Sequence, residues 1–529
     1  MAEIAISHIL AGKTVLAVSH SNVSVDGIVL KVAELMRERG LEKILWNAEV
    51  MRFGHVRDAA LDADEDLCAH RYAISCNPEL KDELVELGRR REELKREDTR
   101  TSRELANVQR RISEVRTAAR ANGGSLHLTH ELKTLKKGQQ ELEALRDQIS
   151  NETVNIQKRT SQIRKKVNED ELRAVDRARM VATTASKMYA NKFFDGRKYD
   201  LVLFDEVSMA YVPQIVCAAM HAESKLVLVG DFRQLAPITS SSIASKLLSK
   251  DIFSYLGITD SAQKAHYHPW LVMLNEQRRM HPSISAFPSA QFYERLLRDH
   301  ESVVHARDDI AAHEPCPGSS MVLVDMRGAY CASARNVDNS RFNILGAVIS
   351  FGLALAAVRS GAGSVGVIAP YIAQARLIRA LIKDYQERRR KGMPDLSDVA
   401  CSTVHQFQGS ERDIIVLDTV ESYPARRPGI LTYKNENGSV DRLVNVAVTR
   451  ARGKLITVAN ESFWSEKTAG KANAFGLLCD HQYRCDKVMG ANNGGLNDIL
   501  QGYDFGPNIE VFDTVSAEDA LIADLGTVT

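Results

Sequence analysis

Tyr199-Asp-Leu-Val-Leu-Phe-Asp205-Glu206 is an apolar run that ends in two adjacent carboxylates, and Leu226-Val-Leu-Val-Gly230-Asp231 repeats the form downstream. A short run without polar alternation, closed by acidic residues, reads as a strand buried on both faces, which is the signature of a parallel sheet covered by helices. A carboxylate at the tip of such a strand can hold Mg²⁺, and its neighbour can orient or deprotonate a water. Acidic strand ends are common, so the first stretch gains its weight from the second. There Phe232-Arg-Gln234-Leu-Ala-Pro237 follows, and a glutamine at that point can sense a terminal phosphate by hydrogen bonding, which packing alone would not require.

Working outward, the same rhythm of strand and helix fills most of the chain. A helical stretch, Ala2 to Leu10, leads through Gly12-Lys-Thr14 into a strand at Val15–Val18; a helix over Val25–Arg39 and a strand over Ile44–Trp46 follow. Further strands are expected at Arg179–Thr183, Asp200–Phe204, Lys225–Val229, Met321–Val324, Ser364–Ile368, Ile414–Leu417 and Lys454–Val458. Between Asn77 and Val167 the pattern changes. Leu80, Leu84, Leu87, Leu94, Leu105, Val108, Ile112 and Val115 recur at alternating spacings of three and four, and after Asn122-Gly-Gly-Ser125 the spacing resumes through Leu128, Leu132, Leu135, Leu142, Ile149, Ile156, Ile163 and Val167. Two heptad arms around a turn signal predict an antiparallel coiled-coil hairpin. Each arm of about forty residues would project on the order of 60 Å, and most of its charges read as a solvated face.

The organisation expected is therefore an α/β chain with two parallel-sheet domains. Residues 1–76 and 179–265 form the first, the hairpin occupies 77–178, residues 266–465 form the second, and 466–529 form a tail whose last residues are acidic. The 529 residues are too many for a single small module, and 44% hydrophobic with 26% charged residues is the balance of sizeable cores. A net charge of +1 gives no global field for nucleic acid, so binding would need a local arrangement of charge. The longest uncharged apolar run, Ile344 to Val358, is shorter than the ~20 residues that span a bilayer and reads as a buried helix. No signal-peptide pattern opens the chain, so a cytoplasmic address without a membrane partner is expected. The eight cysteines form no C-x-x-C pair; Cys479, His481 and Cys485 lack a fourth ligand, and a core role is preferred for them.

Two motif matches are decoys. Gly12-Lys13-Thr14 resembles the end of a phosphate-binding loop, but Ser7 holds its first glycine position and the lysine leads into a strand instead of a helix. Gly361-Ala-Gly-Ser-Val-Gly366 fits G-x-G-x-x-G, yet it precedes its strand and reads as a plain helix-to-strand loop.

Six further segments occur in order: Asp205-Glu-Val-Ser208, Gly230-Asp-Phe-Arg-Gln-Leu-Ala-Pro237, Gln277-Arg-Arg-Met-His-Pro282, Ala369-Pro-Tyr-Ile-Ala-Gln374, Thr403-Val-His-Gln-Phe-Gln-Gly-Ser-Glu411 and Asn445-Val-Ala-Val-Thr-Arg450. In that order they resemble the motifs of superfamily 1 helicases, most of all the branch of nonsense-mediated-decay and senataxin-type helicases. Ser19-His-Ser-Asn-Val-Ser-Val-Asp26 and Val181-Ala-Thr-Thr-Ala185 resemble that branch's motifs Ia and Ic. The resemblance covers nearly the whole chain outside the hairpin and the tail.

It implies two RecA-like domains of the P-loop NTPase type that close on ATP and Mg²⁺, with single-stranded DNA or RNA across both and movement from 5′ to 3′. Carried over by position, Asp205 binds Mg²⁺, Glu206 activates the attacking water and Gln234 contacts the γ-phosphate. Arg279 and Arg450 stabilise charge as phosphate departs, a role worth ~10³–10⁵ in rate in other NTPases. Gly409 and Glu411 line the nucleotide side. Ser21, Asn22, Thr183, Tyr371, Gln374 and Thr403 lie toward the nucleic acid. Two positions depart from the pattern: Met209 replaces the usual Gln after the acidic pair, and Arg278 replaces the usual Tyr before the motif Arg. A guanidinium can stack on a base as a tyrosine does, so Arg278 is expected at the nucleotide with an altered base preference.

The family's phosphate-binding loop would lie just ahead of the helix that starts at Ala2. Without its amides and lysine the chain alone is expected to be ATPase-deficient. A start placed too late or a frameshift, a split helicase completed in trans, and a repurposed non-catalytic chain are the explanations, in that order. The rival reading is a nucleic-acid-binding or interaction protein whose hairpin recruits a protein partner.

Overall fold

A computed structural model describes residues 1–121, 126–239, 242–258, 268–327, 331–429, 432, 439–468, 473–485 and 487–490. The hairpin turn at 122–125 and most of the tail expected over 466–529 lie outside the described residues. The chain divides into two compact units, one of Met1–Asp205 with Cys217–Leu228 and one of Glu206–Val216 with Val229–Thr529.

The first unit is built on β1 (Val15–Ser19), β2 (Val50–Arg52), β3 (Met180–Thr184), β4 (Tyr199–Asp205) and β5 (Ala222–Leu228). They form one parallel sheet in the order β2-β3-β1-β4-β5. β1 and β4 are apolar because both faces are buried: α1 (Ala2–Leu10) and α2 (Asn22–Glu38) place Ile6, Ile9, Val25, Val29 and Val32 against Val15, Ala17, Ala182, Leu201 and Leu203 on one face, and Leu16, Val18, Val202 and Phe204 on the other are buried as well. The strand expected at Ile44–Trp46 is instead a single helical turn, Glu42–Trp46. Asn47 N–H bonds back to Lys43 O at 3.0 Å, and the strand starts only at Val50, where the edge of β3 becomes available. Three apolar residues are too few to show which period they follow.

The hairpin consists of α3 (Pro78–Ala121) and α4 (Leu126–Arg177). Leu94, Ile149 and Ile156 pack as one buried layer, and Ile163, Val167 and Ala73 as another near the base. Arg90 donates to Glu152 at 2.7 and 3.0 Å, and Arg111 donates to Glu131 at 3.2 and 3.0 Å, so ion pairs join the two helices across the seam.

The second unit holds a six-stranded sheet of β6 (Met321–Asp325), β7 (Val365–Ala369), β8 (Ala400–Thr403), β9 (Arg412–Asp418), β10 (Ala451–Ala459) and β11 (Lys487–Gly490). All pairs are parallel, in the order β8-β7-β9-β10-β6-β11. Successive side chains go to opposite faces. Val322, Val324, Val367, Ile414, Val416 and Ile456 meet α6 (Ile344–Arg359) and α7 (Ile372–Arg388), whereas Leu323, Ile368, Ile415, Leu417 and Leu455 meet α5 (Pro282–Phe292) and α8 (Ser439–Val448). The apolar run read as a buried helix is α6, capped by Asn343 Oδ1 accepting from Gly346 N at 3.0 Å. Each unit is thus a parallel sheet in an α/β setting, the RecA-like arrangement. No helix among the described residues is long and apolar enough to cross a membrane.

Candidate functional site

At the end of β4 the chain turns sharply. Glu206 takes φ = 54°, a left-handed conformation that residues other than glycine rarely adopt and that tends to persist where surroundings enforce it. Within the second unit, Val207 N donates to Val229 O at 3.0 Å and Met209 N to Glu206 O at 3.1 Å. Gly230 lets these segments approach: a Cβ there would lie 2.9 Å from Val207 Cγ2 and 3.1 Å from Ser208 N. The turn holds the Glu206 carboxylate 3.4 Å from Gln408 Nε2.

Beyond Gly230, Asp231 organises its own loop. Its carboxylate accepts from Arg233 N at 2.8 Å, from Gln234 Nε2 at 3.0 Å and from the Tyr293 hydroxyl. Asn445, on α8, donates to Tyr293 Oη at 2.7 Å and to Arg233 O at 3.0 Å. Burial, then the charge of Asp231, pushes the Tyr293 hydroxyl well above its ordinary pKa, so it remains a donor. Gln234 is in this way held by a neighbour three residues away.

Arg450 follows α8 and is 2% exposed. Its guanidinium donates to Val446 O at 3.0 Å, Ser410 O at 3.2 Å and Thr449 Oγ1 at 3.2 Å, and among the described residues no carboxylate forms an ion pair with it. Burial, and then the charge of Arg279, lowers its pKa to about 10, against the opposing pull of Glu206 and Glu411. Arg279 is more exposed. It donates to Glu411 and, at 3.1 Å, to Thr449 O, while its own carbonyl accepts from Arg307 at 3.1 Å. Gly409, at φ = 80°, supplies the bend before Glu411.

Of the residues expected from sequence, the second unit gathers Glu206, Arg279, Gly409, Glu411 and Arg450, with Gln234 on the adjoining Asp231 loop. Arg278 is exposed, its nearest carboxylate being Glu276 at 3.9 Å. Thr403 ends β8 and precedes the turn Val404–Phe407. Tyr371 and Gln374 are buried and hydrogen-bonded within the second unit. The Tyr371 hydroxyl donates to Glu421 and lies 3.2 Å from Thr432 Oγ1; Gln374 is fully buried, donating to Asp418 at 2.5 Å and Asn343 O at 3.0 Å and accepting from Asn343 N at 2.8 Å. Both are internal braces, because their polar ends satisfy buried carboxylates and backbone.

In the first unit, Asp205 closes β4 in register with Ser19 of β1. The Ser19 and Thr183 hydroxyls are buried at the carboxyl ends of their strands without a hydrogen-bond partner among the described residues. In open α/β sheets ligands bind at that end. Ser21 caps α2, accepting from Ser24 N at 3.1 Å, and Asn22 Oδ1 accepts from Arg52 at 2.9 Å. Asp231, Tyr293, Gln408 and Asn445 were not expected to take part. Asp231, Gln408 and Asn445 sit inside the ordered motifs and were within reach; Tyr293 has no motif around it.

Two family models, each described as an AAA domain, match residues 6–242 and 259–462. The Regulator of nonsense transcripts 1 homolog of Arabidopsis thaliana is 30% identical over 51% of this chain and 20% of its own length. Helicase sen1 of Schizosaccharomyces pombe is 29% identical over 50% of this chain and 14% of its own. The DNA polymerase alpha-associated DNA helicase A of the same yeast is 28% identical over 50% and 38%. The chain therefore matches well under half of the length of each of these relatives. Among solved structures, Pif1 helicase from Candida albicans overlaps 86% of this chain and 94% of its own at 11% identity, with a TM-score of 0.24. With both AAA domains in tandem, the ordered motifs and these relatives, the chain belongs to the superfamily 1 helicases, in the branch of nonsense-mediated-decay and senataxin-like proteins.

Proposed function

We propose that this chain is the motor part of an ATP-dependent helicase or translocase that acts on single-stranded DNA or RNA. By sequence, residues 1–76 and 179–265 serve as its first RecA-like domain around the hairpin 77–178 and residues 266–465 as its second, although by contact Glu206–Val216 and the residues from Val229 onward group with the second unit. The observation that carries the reading is Arg450, a guanidinium buried without a carboxylate yet set in the fields of Arg279, Glu206 and Glu411. A buried unpaired charge is costly, and anion binding is what recovers that cost.

Within the second unit the residues fit the phosphates of a nucleotide: Arg450 and Arg279 offer cationic donors, Glu206 a carboxylate on a strained turn and Gln234 an amide; in the first unit Asp205 is a carboxylate of the kind that suits Mg²⁺ at a strand end. When bound, Mg-ATP supplies the phosphoanhydride whose hydrolysis drives the cycle. Glu206 accepts a proton from the attacking water and Gln408 restrains its carboxylate. Arg450, held by three backbone and hydroxyl acceptors, is preorganised to meet negative charge without moving. Glu411 keeps Arg279 extended toward the same place. Ser21, Asn22, Thr183 and Thr403 lie toward the strand, and Arg278 serves as a planar cation for a base.

The test is strand-stimulated ATP hydrolysis, measured on the protein joined to the phosphate-binding loop that the resemblance implies ahead of Ala2, because the 529 residues alone are expected to be ATPase-deficient. Arg450→Ala is expected to lower turnover about 10³-fold, with strand binding measured by anisotropy preserved. Glu206→Gln, which removes no buried charge pair, is expected to abolish turnover and to leave the fold intact by circular dichroism. Turnover at the parental rate in Glu206→Gln would overturn the reading even if Arg450→Ala fails to fold.

A further inference from the structure

The near-neutral chain conceals a local imbalance of charge in the hairpin. The outer half, residues 100–146, carries ten Lys and Arg against five Asp and Glu, a net of +5, whereas the rest of the two helices, residues 78–99 and 147–177, is close to balanced at −1. The acids of the outer half are already engaged. Glu104 pairs with Arg100, Glu114 and Glu131 with Arg111, and Glu141 with Lys137, while Glu143 accepts from Gln139. Arg103, Arg110, Arg116, Arg120, Lys133, Lys136 and Arg146 are exposed and have no carboxylate within ion-pair distance among the described residues.

The cations on α3 are also in order. Its buried seam runs through Leu94, Thr101, Leu105, Ile112 and Val115, which puts Arg96, Arg103 and Arg110 at the heptad position opposite the seam, one every seven residues or about 10.5 Å. Holding unpaired guanidiniums at regular spacing on one face costs self-repulsion and adds little to a solvated coiled coil. A polyanion removes that repulsion and releases its own counterions.

We propose that the outer half of the hairpin, together with Arg96 just inside its boundary, is a sequence-independent contact for the phosphate backbone of nucleic acid, carried by the ladder Arg96, Arg103 and Arg110 and supported at the far end by Arg116, Arg120, Lys133 and Lys136. The ligand class rests on the strand-binding reading above. An acidic protein fits less well. Residues 78–177 contain no Phe, Tyr or Trp, and of the exposed large apolar side chains only Leu145 lies in the outer half among the described residues. Protein interfaces gather their energy from aromatic and apolar anchors and deplete charge at the centre. The absence of aromatic rings also excludes base stacking by the arm, leaving phosphates as the target.

The experiment measures the affinity of the 529-residue chain for a fluorescent oligonucleotide by anisotropy at a series of salt concentrations. Arg96→Gln, Arg103→Gln and Arg110→Gln are combined in one variant. Lys31→Gln, Lys43→Gln and Lys383→Gln, all exposed and outside the hairpin, make a control of equal net charge. The ladder variant is expected to bind about tenfold or more weaker, with the slope of log affinity against log salt reduced by about 2 for a single strand, while the control stays within about twofold. Its helix content by circular dichroism should not change, since all three positions face solvent. Equal affinity and slope in the ladder variant and the parent would overturn the proposal, as would an equal loss in the control. Retention of poly-glutamate as tightly as the oligonucleotide, lost in the ladder variant, would assign the arm to an acidic protein instead. Failure of the parent chain to bind any oligonucleotide is a different result, because it removes the strand-binding reading itself.

Discussion

Arg52 and Asp26 form an ion pair inside the first unit, with side chains 0% and 3% exposed and Nε to Oδ1 at 2.7 Å. The remaining guanidinium donors go to Phe53 O at 2.8 Å, Asn22 Oδ1 at 2.9 Å and His55 O at 2.6 Å, while Asp26 Oδ2 accepts from Arg57 N at 2.6 Å and Asp58 N at 3.1 Å. The pair ties β2 and the loop after it to α2, at the residue expected to lie toward the strand. Asp26→Asn leaves the arginine charge buried and turns an amide N–H₂ toward either the Arg52 Nε–H or the Arg57 and Asp58 amides, all of them donors. Breaking such a pair from one side costs about 3–5 kcal/mol, a large share of the ~5–15 kcal/mol that holds a domain folded. Hydrogen exchange of the β1 and β3 amides should read this as a loss of protection of roughly 10²- to 10⁴-fold at 1.4 kcal/mol per decade. Arg52→Met should lose a similar amount, and the double variant less than the sum by about 2 kcal/mol or more, since no lone charge remains. Protection within threefold of the parent in Asp26→Asn, or strict additivity in the cycle, would refute the reasoning.

Other perturbations test the remaining parts. Gly230→Ala places a methyl 2.9 Å from Val207 Cγ2 and 3.1 Å from two backbone nitrogens, and is expected to destabilise by about 1–3 kcal/mol; an unchanged denaturation midpoint would mean that the two segments are not closely packed. Tyr371→Phe removes a buried donor to Glu421 and should lower stability by about 1–2 kcal/mol without altering strand affinity, so a selective loss of strand binding would restore Tyr371 to a groove. Burial pushes the Asp418 carboxyl up to about 6, against the bonds from Gln374, Val420 N and Ser350. Because its folded pKa lies above the unfolded ~3.9, the folded state binds the extra proton between these values and stability falls as pH rises from about 4 to 6. Asp418→Asn should flatten that limb in chemical denaturation measured from pH 4 to 7, and an unchanged slope would count against it.

The strands were legible because parallel sheets demand uninterrupted apolar runs, and β4 and β9 announce themselves in that way. β8 did not, since Ala400-Cys-Ser-Thr403 on the sheet edge has no such run, and Ile44–Trp46 misled because three apolar residues fit a helical turn as well as a strand. The hairpin was legible from its heptads, whereas its arginine ladder becomes visible only once the seam is known and each cation can be sorted by whether a carboxylate reaches it.

The candidate site divides along the same line. Sequence order supplies residue types, and for Glu206, Arg279, Glu411 and Arg450 the types were enough to nominate them. What distinguishes Arg450 from any surface arginine is that it is buried, with α8, Ser410 and Thr449 surrounding it with neutral acceptors, while it feels the charges of Arg279, Glu206 and Glu411. No spacing rule encodes that, since the groups arrive from separate segments of the chain. Tyr371 and Gln374 show the converse arrangement. They occupy the motif positions, but Glu421 and Asp418 are buried carboxylates that need donors, and a polar side chain satisfies the nearest buried charge before it serves a ligand outside. Tyr371 has its hydroxyl committed to a buried carboxylate, whereas Arg450 is left without a carboxylate among the described residues and keeps its charge available to an anion.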